Sequence, residues 1–161
     1  MFRIAVITLS DTASKGGRED LSGEEIKKMV NELGKVVHYE ILPDDIELIR
    51  RKLIEICDND IADLVLTTGG TGFTERDITP EATKLVIERE VPGISEYMRI
   101  KSAEISRNAI LSRGVSGIRK KTLIINLPGS VKAVKENLTL ILPVLQHALE
   151  KLKGDTRPCG D

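Results

Sequence analysis

A glycine-rich segment, Thr67–Asp77, carries the residue types best suited to hold an anion. It reads Thr-Thr-Gly-Gly-Thr-Gly-Phe-Thr-Glu-Arg-Asp and follows an apolar run that is typical of a buried strand. Glycines let the main chain approach a ligand closely, so that consecutive amides can point at one anion. Thr68 and Thr71 add hydroxyl donors, and a helix beginning near Pro80 would add the positive end of its dipole. The segment therefore predicts a phosphate site, with an ordinary flexible strand-to-helix turn as the alternative.

Two common phosphate-binding motifs do not fit this segment. A Walker A loop ends in Gly-Lys-Ser or Gly-Lys-Thr, whereas Gly72 is followed by Phe73 and Thr74. The dinucleotide-binding fingerprint would place a glycine at position 75, which is Glu75. The segment is therefore neither a P-loop nor a Rossmann cofactor loop.

Two acidic residues could share a site with the glycines. Asp44 follows one predicted strand and Asp77 lies beyond another, so both would reach one crevice if those strands are neighbours. Acids beside a phosphate site repel the ligand unless a cation intervenes, and Mg²⁺ accepts carboxylate and phosphate oxygens together. Helix capping is the alternative role for Asp44 or Asp45, and Arg76 could hold a phosphate or pair with Glu75.

Strands alternate with helices along the chain. The predicted strands are Phe2–Leu9, Val36–Leu42, Ile61–Thr68 and Thr122–Leu127. The predicted helices are Ser22–Leu33, Ile46–Cys57, Thr79 to about Glu90, Ile94–Ile105 and Val131–Leu152. We expect Ser22 and Thr79 to cap their helices, Pro143 to kink or split the last helix, and Ala109–Arg119 to form a hairpin or a loop with a short strand.

Apolar strands that alternate with helices predict an α/β three-layer sandwich, a mostly parallel sheet with helices on both faces. Residues 1–161 are long enough for one domain of this kind. Ligands of such sheets bind beyond the carboxyl ends of the strands. The loops that meet this condition are Ser10–Asp20, Pro43–Asp45, Thr68–Thr79 and Pro128–Ser130.

Composition indicates which classes of partner and which cellular compartment to expect. The formal net charge is −1, so no basic excess favours nucleic acid or an anionic membrane surface. The two cysteines show neither metal-site spacing nor a disulfide framework, and Cys57 lies on the apolar stripe of a predicted helix. We therefore expect a cytoplasmic protein with small-molecule ligands.

The central motif resembles the signature of the molybdenum-cofactor biosynthesis domain family. Thr67–Gly72 followed by Arg76–Thr83 is the specific part of this resemblance, and it is most similar to the molybdopterin adenylyltransferases, including the G domain of gephyrin. Leu42–Asp45, Leu111–Arg113 and Asn126–Gly129 match in the same order, so the resemblance covers essentially the whole chain.

The resemblance implies transfer of AMP from Mg-ATP to the terminal phosphate of molybdopterin, with release of pyrophosphate. It implies that Asp44 and Asp77 are the essential acids, acting through Mg²⁺. The residues implied to bind phosphate or nucleotide are Ser10, Asp11, Thr68, Gly69, Gly70, Thr71, Gly72, Pro128 and Gly129. Those implied to bind the pterin are Ser112, Arg113 and Asn126. It also implies a homotrimer that supplies a molybdenum insertase.

Three alternatives accompany this resemblance. Molybdenum insertases carry a serine-containing version of the glycine loop and extra domains. Competence-damage-type proteins share the fold but carry Gly-Gly-Leu-Gly-Pro-Thr and a double aspartate, unlike Gly69–Asp77 here. The third alternative is a molybdopterin carrier or scaffold that keeps the pocket and has lost turnover, against which the presence of both Asp44 and Asp77 argues.

Overall fold

A six-stranded sheet forms the centre of the computed structural model, which describes residues 1–160. The strands are β1 Phe2–Leu9, β2 Gly34–Leu42, β3 Leu64–Thr68, β4 Arg89–Glu90, β5 Ser116–Arg119 and β6 Thr122–Leu127. Their order across the sheet is β2-β1-β3-β6-β5-β4. The first four of these pair in parallel, and β5 and β4 extend the sheet antiparallel beyond β6. The predicted mostly parallel sheet is confirmed.

Helices cover both faces of the sheet. They are α1 Asp11–Ser14, α2 Leu21–Met29, α3 Ile46–Asp58, α4 Thr79–Lys84, α5 Pro92–Ala103 and α6 Val131–Leu152, with a 3-10 turn at Arg107–Leu111. Within residues 1–160, no helix combines the length and the apolar character needed to cross a bilayer.

Two aliphatic cores, one on each face, follow from the alternation of side chains along the strands. Ile4 and Val6 of β1 pack with residues of α2, α5 and α6, whereas Ala5 and Ile7 pack with residues of α3 and α4. Successive side chains of a strand point to opposite faces, so one buried strand serves both cores. The predicted three-layer arrangement is confirmed.

Helix α2 begins one residue earlier than predicted and ends sooner. Asp20, not Ser22, is the N-cap of α2, because its carboxylate accepts a hydrogen bond from the Gly23 amide at 2.9 Å. The predicted end at Leu33 was also wrong, since α2 ends at Met29 and Gly34 already belongs to β2.

The predicted helix from Thr79 to Glu90 was too long, because α4 ends at Lys84 and the following segment joins the sheet. The Glu88 and Val91 amides donate to the carbonyls of Ile118 and Ser116, which places β4 at the sheet edge. Ile78, rather than Thr79, occupies the N-cap position of α4.

The expected split at Pro143 does not occur, since α6 runs unbroken from Val131 to Leu152. Pro143 removes the amide that would bond the carbonyl of Thr139. Both residues face solvent, where water can satisfy that carbonyl. Of the two alternatives expected for Ala109–Arg119, the loop with a short strand is observed, because β5 is the strand in that range and it pairs antiparallel with β6.

Candidate functional site

The loops after β1, β2, β3 and β6 meet at the carboxyl edge of the parallel strands. Hydrogen bonds join them directly: Ser10 N–H donates to Leu42 O at 2.9 Å, and Gly69 N–H donates to Leu127 O at 3.2 Å. Thr68 Oγ1 donates to Pro128 O at 2.6 Å, so the Gly-rich segment and the loop after β6 are held together. The loops therefore converge at the edge of the sheet where the sequence predicted the site.

The first two glycines of the Gly-rich segment adopt a backbone conformation that favours glycine. Gly69 has φ +99° and Gly70 has φ +67°, both in the left-handed region. A β-carbon on Gly69 would lie 2.4 Å from Leu9 O, and one on Gly70 would lie 2.2 Å from Thr79 Oγ1. Thr79 Oγ1 itself donates to Gly69 O at 2.9 Å, which fixes the segment against the start of α4.

Consecutive amides of the Gly-rich segment are available to a ligand. In the part of the chain that the structure describes, the N–H groups of Gly70, Thr71, Gly72 and Phe73 have no protein acceptor, whereas that of Gly69 is used by Leu127 O. Gly72 and Phe73 are exposed. Successive free amides of this kind can form an anion-binding concavity. This supports the predicted phosphate site for Gly70–Gly72 but not for the Gly69 amide, and it adds the amide of Phe73, which was not predicted.

Asp11 and Asp44 are joined by a reciprocal pair of hydrogen bonds. Asp11 N–H donates to Asp44 Oδ2 at 3.2 Å, and Asp44 N–H donates to Asp11 Oδ1 at 3.0 Å. The second oxygen of Asp44, Oδ1, is buried and has no hydrogen-bond partner within residues 1–160. It lies 3.2 Å from the position of a β-carbon on Gly70, so it faces the Gly-rich segment. The helix cap is supplied by Asp45 instead, which leaves Asp44 without that role.

The pKa values of Asp44 and Asp11 are shifted in opposite directions. Burial raises the pKa of Asp44, and the charges of Asp11 and Asp77 raise it further. Hydrogen bonds from Arg76 lower the pKa of Asp11, because the Arg76 guanidinium pairs with both carboxylate oxygens at 2.8 and 2.9 Å. Arg76 therefore pairs with Asp11 across the loops, and not with its neighbour Glu75.

Asp77 lies beside the third glycine of the segment. Its Oδ2 accepts hydrogen bonds from Thr74 N–H at 2.9 Å and from Thr74 Oγ1 at 2.8 Å, and it lies 2.8 Å from the position of a β-carbon on Gly72. The strands before Asp44 and Asp77 are not neighbours, because β1 lies between β2 and β3. The two acids nevertheless face the same segment, and the charge of Asp77 reaches Asp44.

Arg113 is directed towards the Gly-rich segment. Its amide donates to Thr71 O at 3.0 Å, Nε donates to Gly72 O at 2.7 Å, and one terminal nitrogen donates to Asp77 O at 2.6 Å. The other terminal nitrogen pairs with both oxygens of Glu81 at 2.6 and 2.9 Å. The guanidinium expected to contact a pterin thus bonds protein atoms on every side.

Asn126 is buried, and both ends of its side chain bond other residues. Oδ1 accepts a hydrogen bond from Val115 N–H at 3.1 Å, and Nδ2 donates to Thr67 Oγ1 and Thr83 Oγ1 at 2.9 and 3.0 Å. This network ties β6 to β3 and α4. The structure therefore gives the Asn126 side chain a structural role beside the site.

Two cavities open at this edge, on either side of β3 and β6. The first, of about 270 Å³, is lined by Thr71, Gly72, Ser112, Asn126 and Pro128 among the predicted site residues. The second, of about 350 Å³, is lined by Ser10, Thr68, Gly69 and Gly129 among them. The predicted residues that line neither cavity are Asp11, Asp44, Gly70, Asp77 and Arg113. Within residues 1–160 no three His, Cys, Asp or Glu side chains form a metal-binding group.

Several residues that line the first cavity were not predicted. Arg99 on α5 and Glu136 and Asn137 on α6 contribute polar groups to it. Asn137 offered a signal, because it is buried between Val134 and Ile141 on the apolar stripe of α6. A polar residue at such a position needs a partner, which Ser102 supplies at 3.2 Å.

The fold and the site define an α/β protein that presents free loop amides and acids at the carboxyl edge of a mostly parallel sheet. The family model described as "Probable molybdopterin binding domain" matches residues 5–147. The chain belongs to this family of molybdenum-cofactor biosynthesis domains, as its Gly-rich segment predicted.

Several named proteins are similar to this chain in sequence or in structure. A molybdopterin adenylyltransferase of Helicobacter pylori strain J99 is 47% identical over 155 residues, which are 94% of this chain and 88% of that protein. Gephyrin of Dictyostelium discoideum is 43% identical over 91% of this chain and 22% of its own length. Among solved structures, the molybdopterin biosynthesis enzyme MoaB of Thermus thermophilus is 44% identical, with a TM-score of 0.91 and coverage of 96% and 98% of the two chains.

Proposed function

We propose that this protein is a molybdopterin adenylyltransferase, which transfers AMP from ATP to the terminal phosphate of molybdopterin and releases pyrophosphate. Family membership and relatives of that name at 42–47% identity support the enzyme class. The observation that carries the proposal is structural. Within residues 1–160, the amides of Gly70–Phe73 are free, and a buried oxygen of Asp44 that has no hydrogen-bond partner faces Gly70; this combination is suited to a phosphate and its cation.

The acids fit Mg²⁺ as the cation of this site. Asp44 Oδ1 lacks a hydrogen-bond donor within residues 1–160, and repulsion from Asp11 and Asp77 adds to the rise in its pKa, so a nearby cation would relieve both penalties. Carboxylate oxygens are the ligands that Mg²⁺ prefers, usually one or two of them together with phosphate oxygens and water. Asp44 and Asp77 would hold the ion. When bound, it supplies charge neutralisation to the phosphates.

The reaction is an in-line displacement at the α-phosphorus of ATP. An oxygen of the molybdopterin phosphate forms the new bond to phosphorus as the bond to the pyrophosphate oxygen breaks. The attacking phosphate is largely ionised at neutral pH, since its second pKa is about 6, so the site needs no general base. The amides of Gly70, Thr71 and Gly72 orient the nucleotide phosphates and donate to the charge that develops on them.

The two cavities offer separate places for the two substrates. Ser112, in the first cavity, is the residue that the resemblance links to the pterin, and the polar groups of Arg99, Glu136 and Asn137 surround it. Ser10, Thr68 and Gly129 line the second cavity. We assign molybdopterin to the first cavity and part of the nucleotide to the second, with the phosphates at the Gly-rich segment between them.

Further parts of the proposal concern assembly and location. We propose a homotrimer, which is supported by exposed apolar side chains on α5 and in the segment that follows it, where Ile100, Ile105 and Ile110 are 64%, 65% and 60% exposed. A solution mass of three times the 17.7 kDa chain mass would agree with it. We place the enzyme in the cytoplasm, where its adenylated product would pass to a molybdenum insertase.

The test is incubation of the protein with molybdopterin and Mg-ATP, with separate measurement of pyrophosphate and of adenylated molybdopterin. The proposal requires both products in equal amounts, and both should disappear on chelation of the divalent cation. A carrier or scaffold, the second candidate, would bind molybdopterin and yield neither product. Absence of both products with intact molybdopterin binding would therefore exclude the enzyme and favour the carrier.

A further inference from the structure

Arg113 binds carbonyl groups of the Gly-rich segment. It donates hydrogen bonds to four groups of this region, and three of these acceptors are carbonyls: those of Thr71, Gly72 and Asp77. Arg113 is separated from Gly72 by 41 positions in the sequence, so a distant loop holds the segment in place. Two of these carbonyls, those of Thr71 and Gly72, belong to the stretch whose amides are free.

The geometry of the peptide bond links those carbonyls to the amides. In a trans peptide unit the C=O of one residue and the N–H of the next point in opposite directions within one plane. The main-chain N–H of Arg113 binds Thr71 O and its side-chain Nε binds Gly72 O, so the N–H groups of Gly72 and Phe73 must point away from Arg113. The side chain thus controls the second of these two peptide units. Two consecutive donors are thereby turned towards the side where a ligand can reach them.

Glu81 completes this arrangement. Its carboxylate pairs with one terminal nitrogen of Arg113, so the guanidinium plane is fixed and its charge is balanced by a neighbouring acid. A lysine could not replace Arg113, because one ammonium group cannot bind two carbonyls in different directions and a carboxylate at the same time. The guanidinium is consequently unsuited to be a phosphate ligand itself.

We infer that Arg113 is a positioning residue, whose side chain, fixed by Glu81, holds the carbonyls of Gly72 and Asp77 so that the Phe73 amide, beside the Gly72 amide, faces the nucleotide phosphates. The inference rests on the proposed function for the identity of the ligand. It differs from the pterin contact that the resemblance implied for Arg113. Its consequence is that loss of Arg113 should affect the nucleotide more than the pterin.

The experiment compares Arg113→Ala and Arg113→Lys with a matched control, Arg119→Ala. Arg119 also makes a bidentate carboxylate pair, to Asp58 at 2.8 and 2.9 Å, and a bond to a carbonyl, that of Val86. It lies at the opposite end of β6, since it pairs with Thr122. Calorimetric titration with Mg-ATP and with molybdopterin is performed on each variant and on the parent, together with thermal unfolding.

Both Arg113 variants should bind Mg-ATP about tenfold or more weakly, as expected when charge-assisted hydrogen bonds are lost. Molybdopterin affinity should change much less. Added guanidinium ion, well below denaturing concentrations, should restore nucleotide binding to Arg113→Ala, because it can occupy the vacated position. Arg119→Ala should lose stability but keep nucleotide affinity, and guanidinium should not improve it.

Parental Mg-ATP affinity in Arg113→Ala, or equal losses in Arg113→Ala and Arg119→Ala, would overturn the positioning role. Full restoration by lysine would overturn it as well, since a point charge would then suffice. Failure of the parent itself to bind Mg-ATP would instead refute the proposed function, so the two failures are distinguishable.

Discussion

The substitution Gly70→Ala tests whether the shape of the Gly-rich segment matters for both stability and ligand binding. Gly16→Ala is its matched control. Gly70 and Gly16 have similar backbone angles, φ +67° and φ +74°, so alanine suffers similar backbone strain at both. At Gly16 a β-carbon would have no atom within 4 Å, whereas at Gly70 it would lie 2.2 Å from Thr79 Oγ1 and 3.2 Å from Asp44 Oδ1.

The expected magnitudes follow from these contacts. Left-handed strain costs about 1–2 kcal/mol at either position. At Gly70 the collision also displaces Thr79, whose hydroxyl bonds Gly69 O, and this loss adds about 1–2 kcal/mol. At roughly 2–4 °C per kcal/mol for a chain of this size, Gly16→Ala should lower Tm by about 2–8 °C and Gly70→Ala by about 4–16 °C.

The assay combines thermal unfolding with calorimetric titration by Mg-ATP at a temperature where both variants are folded. We expect Gly70→Ala to bind the nucleotide at least about tenfold more weakly, because the free amides after Gly70 are displaced, and Gly16→Ala to bind it like the parent. Equal Tm losses in the two variants would show that the Thr79 contact is unimportant. Unchanged nucleotide affinity in Gly70→Ala would refute the assignment of the Gly-rich segment to phosphate binding.

Three further predictions concern individual side chains. Asp77→Ala should keep the fold and lower turnover by on the order of a hundredfold, which steady-state pyrophosphate release would measure; unchanged turnover would remove Asp77 from the mechanism. Asn126→Leu leaves the Thr67 and Thr83 hydroxyls without their amide donor, and should lower the free energy of unfolding in urea by about 2–4 kcal/mol; a smaller loss would contradict its structural role. Burial opposes ionisation of Asp20, but four hydrogen bonds outweigh it and lower its pKa, so its contribution is present above its ordinary pKa and lost as pH falls through the lowered value. The stability advantage of the parent over Asp20→Leu should therefore shrink with acidification below about pH 4, and a constant difference would refute this.

Local sequence signals predicted most of the fold. The apolar runs of β1 and β6 were predicted with their observed bounds, and Asp45 caps α3 as one of two candidates. Prediction failed where contacts between residues far apart in the sequence determine the local structure. The two-residue strand β4 has no pattern of its own, and it exists because the Glu88 and Val91 amides donate to carbonyls of β5.

The same distinction applies to the site. Glycine spacing predicted the free amides, because glycine conformation is a local property. The partners of Arg76 and Arg113 could not be predicted, since they lie 65 and 32 positions away, at Asp11 and Glu81. Sequence identifies a charged side chain but not which loop the strand order brings beside it.

The strand order also explains why Asp11 belongs to the site. Because β1 lies between β2 and β3, the residue that follows it can contact the loops on both sides, and Asp11 bonds both Asp44 and Arg76. The guanidinium of Arg76 pairs with Asp11 and its charge also acts on Asp44, while Arg113 is neutralised by Glu81. The carboxylates of Asp44 and Asp77 remain beside amides suited to an anion, and under the proposed function a divalent cation bound with the nucleotide would balance their charge.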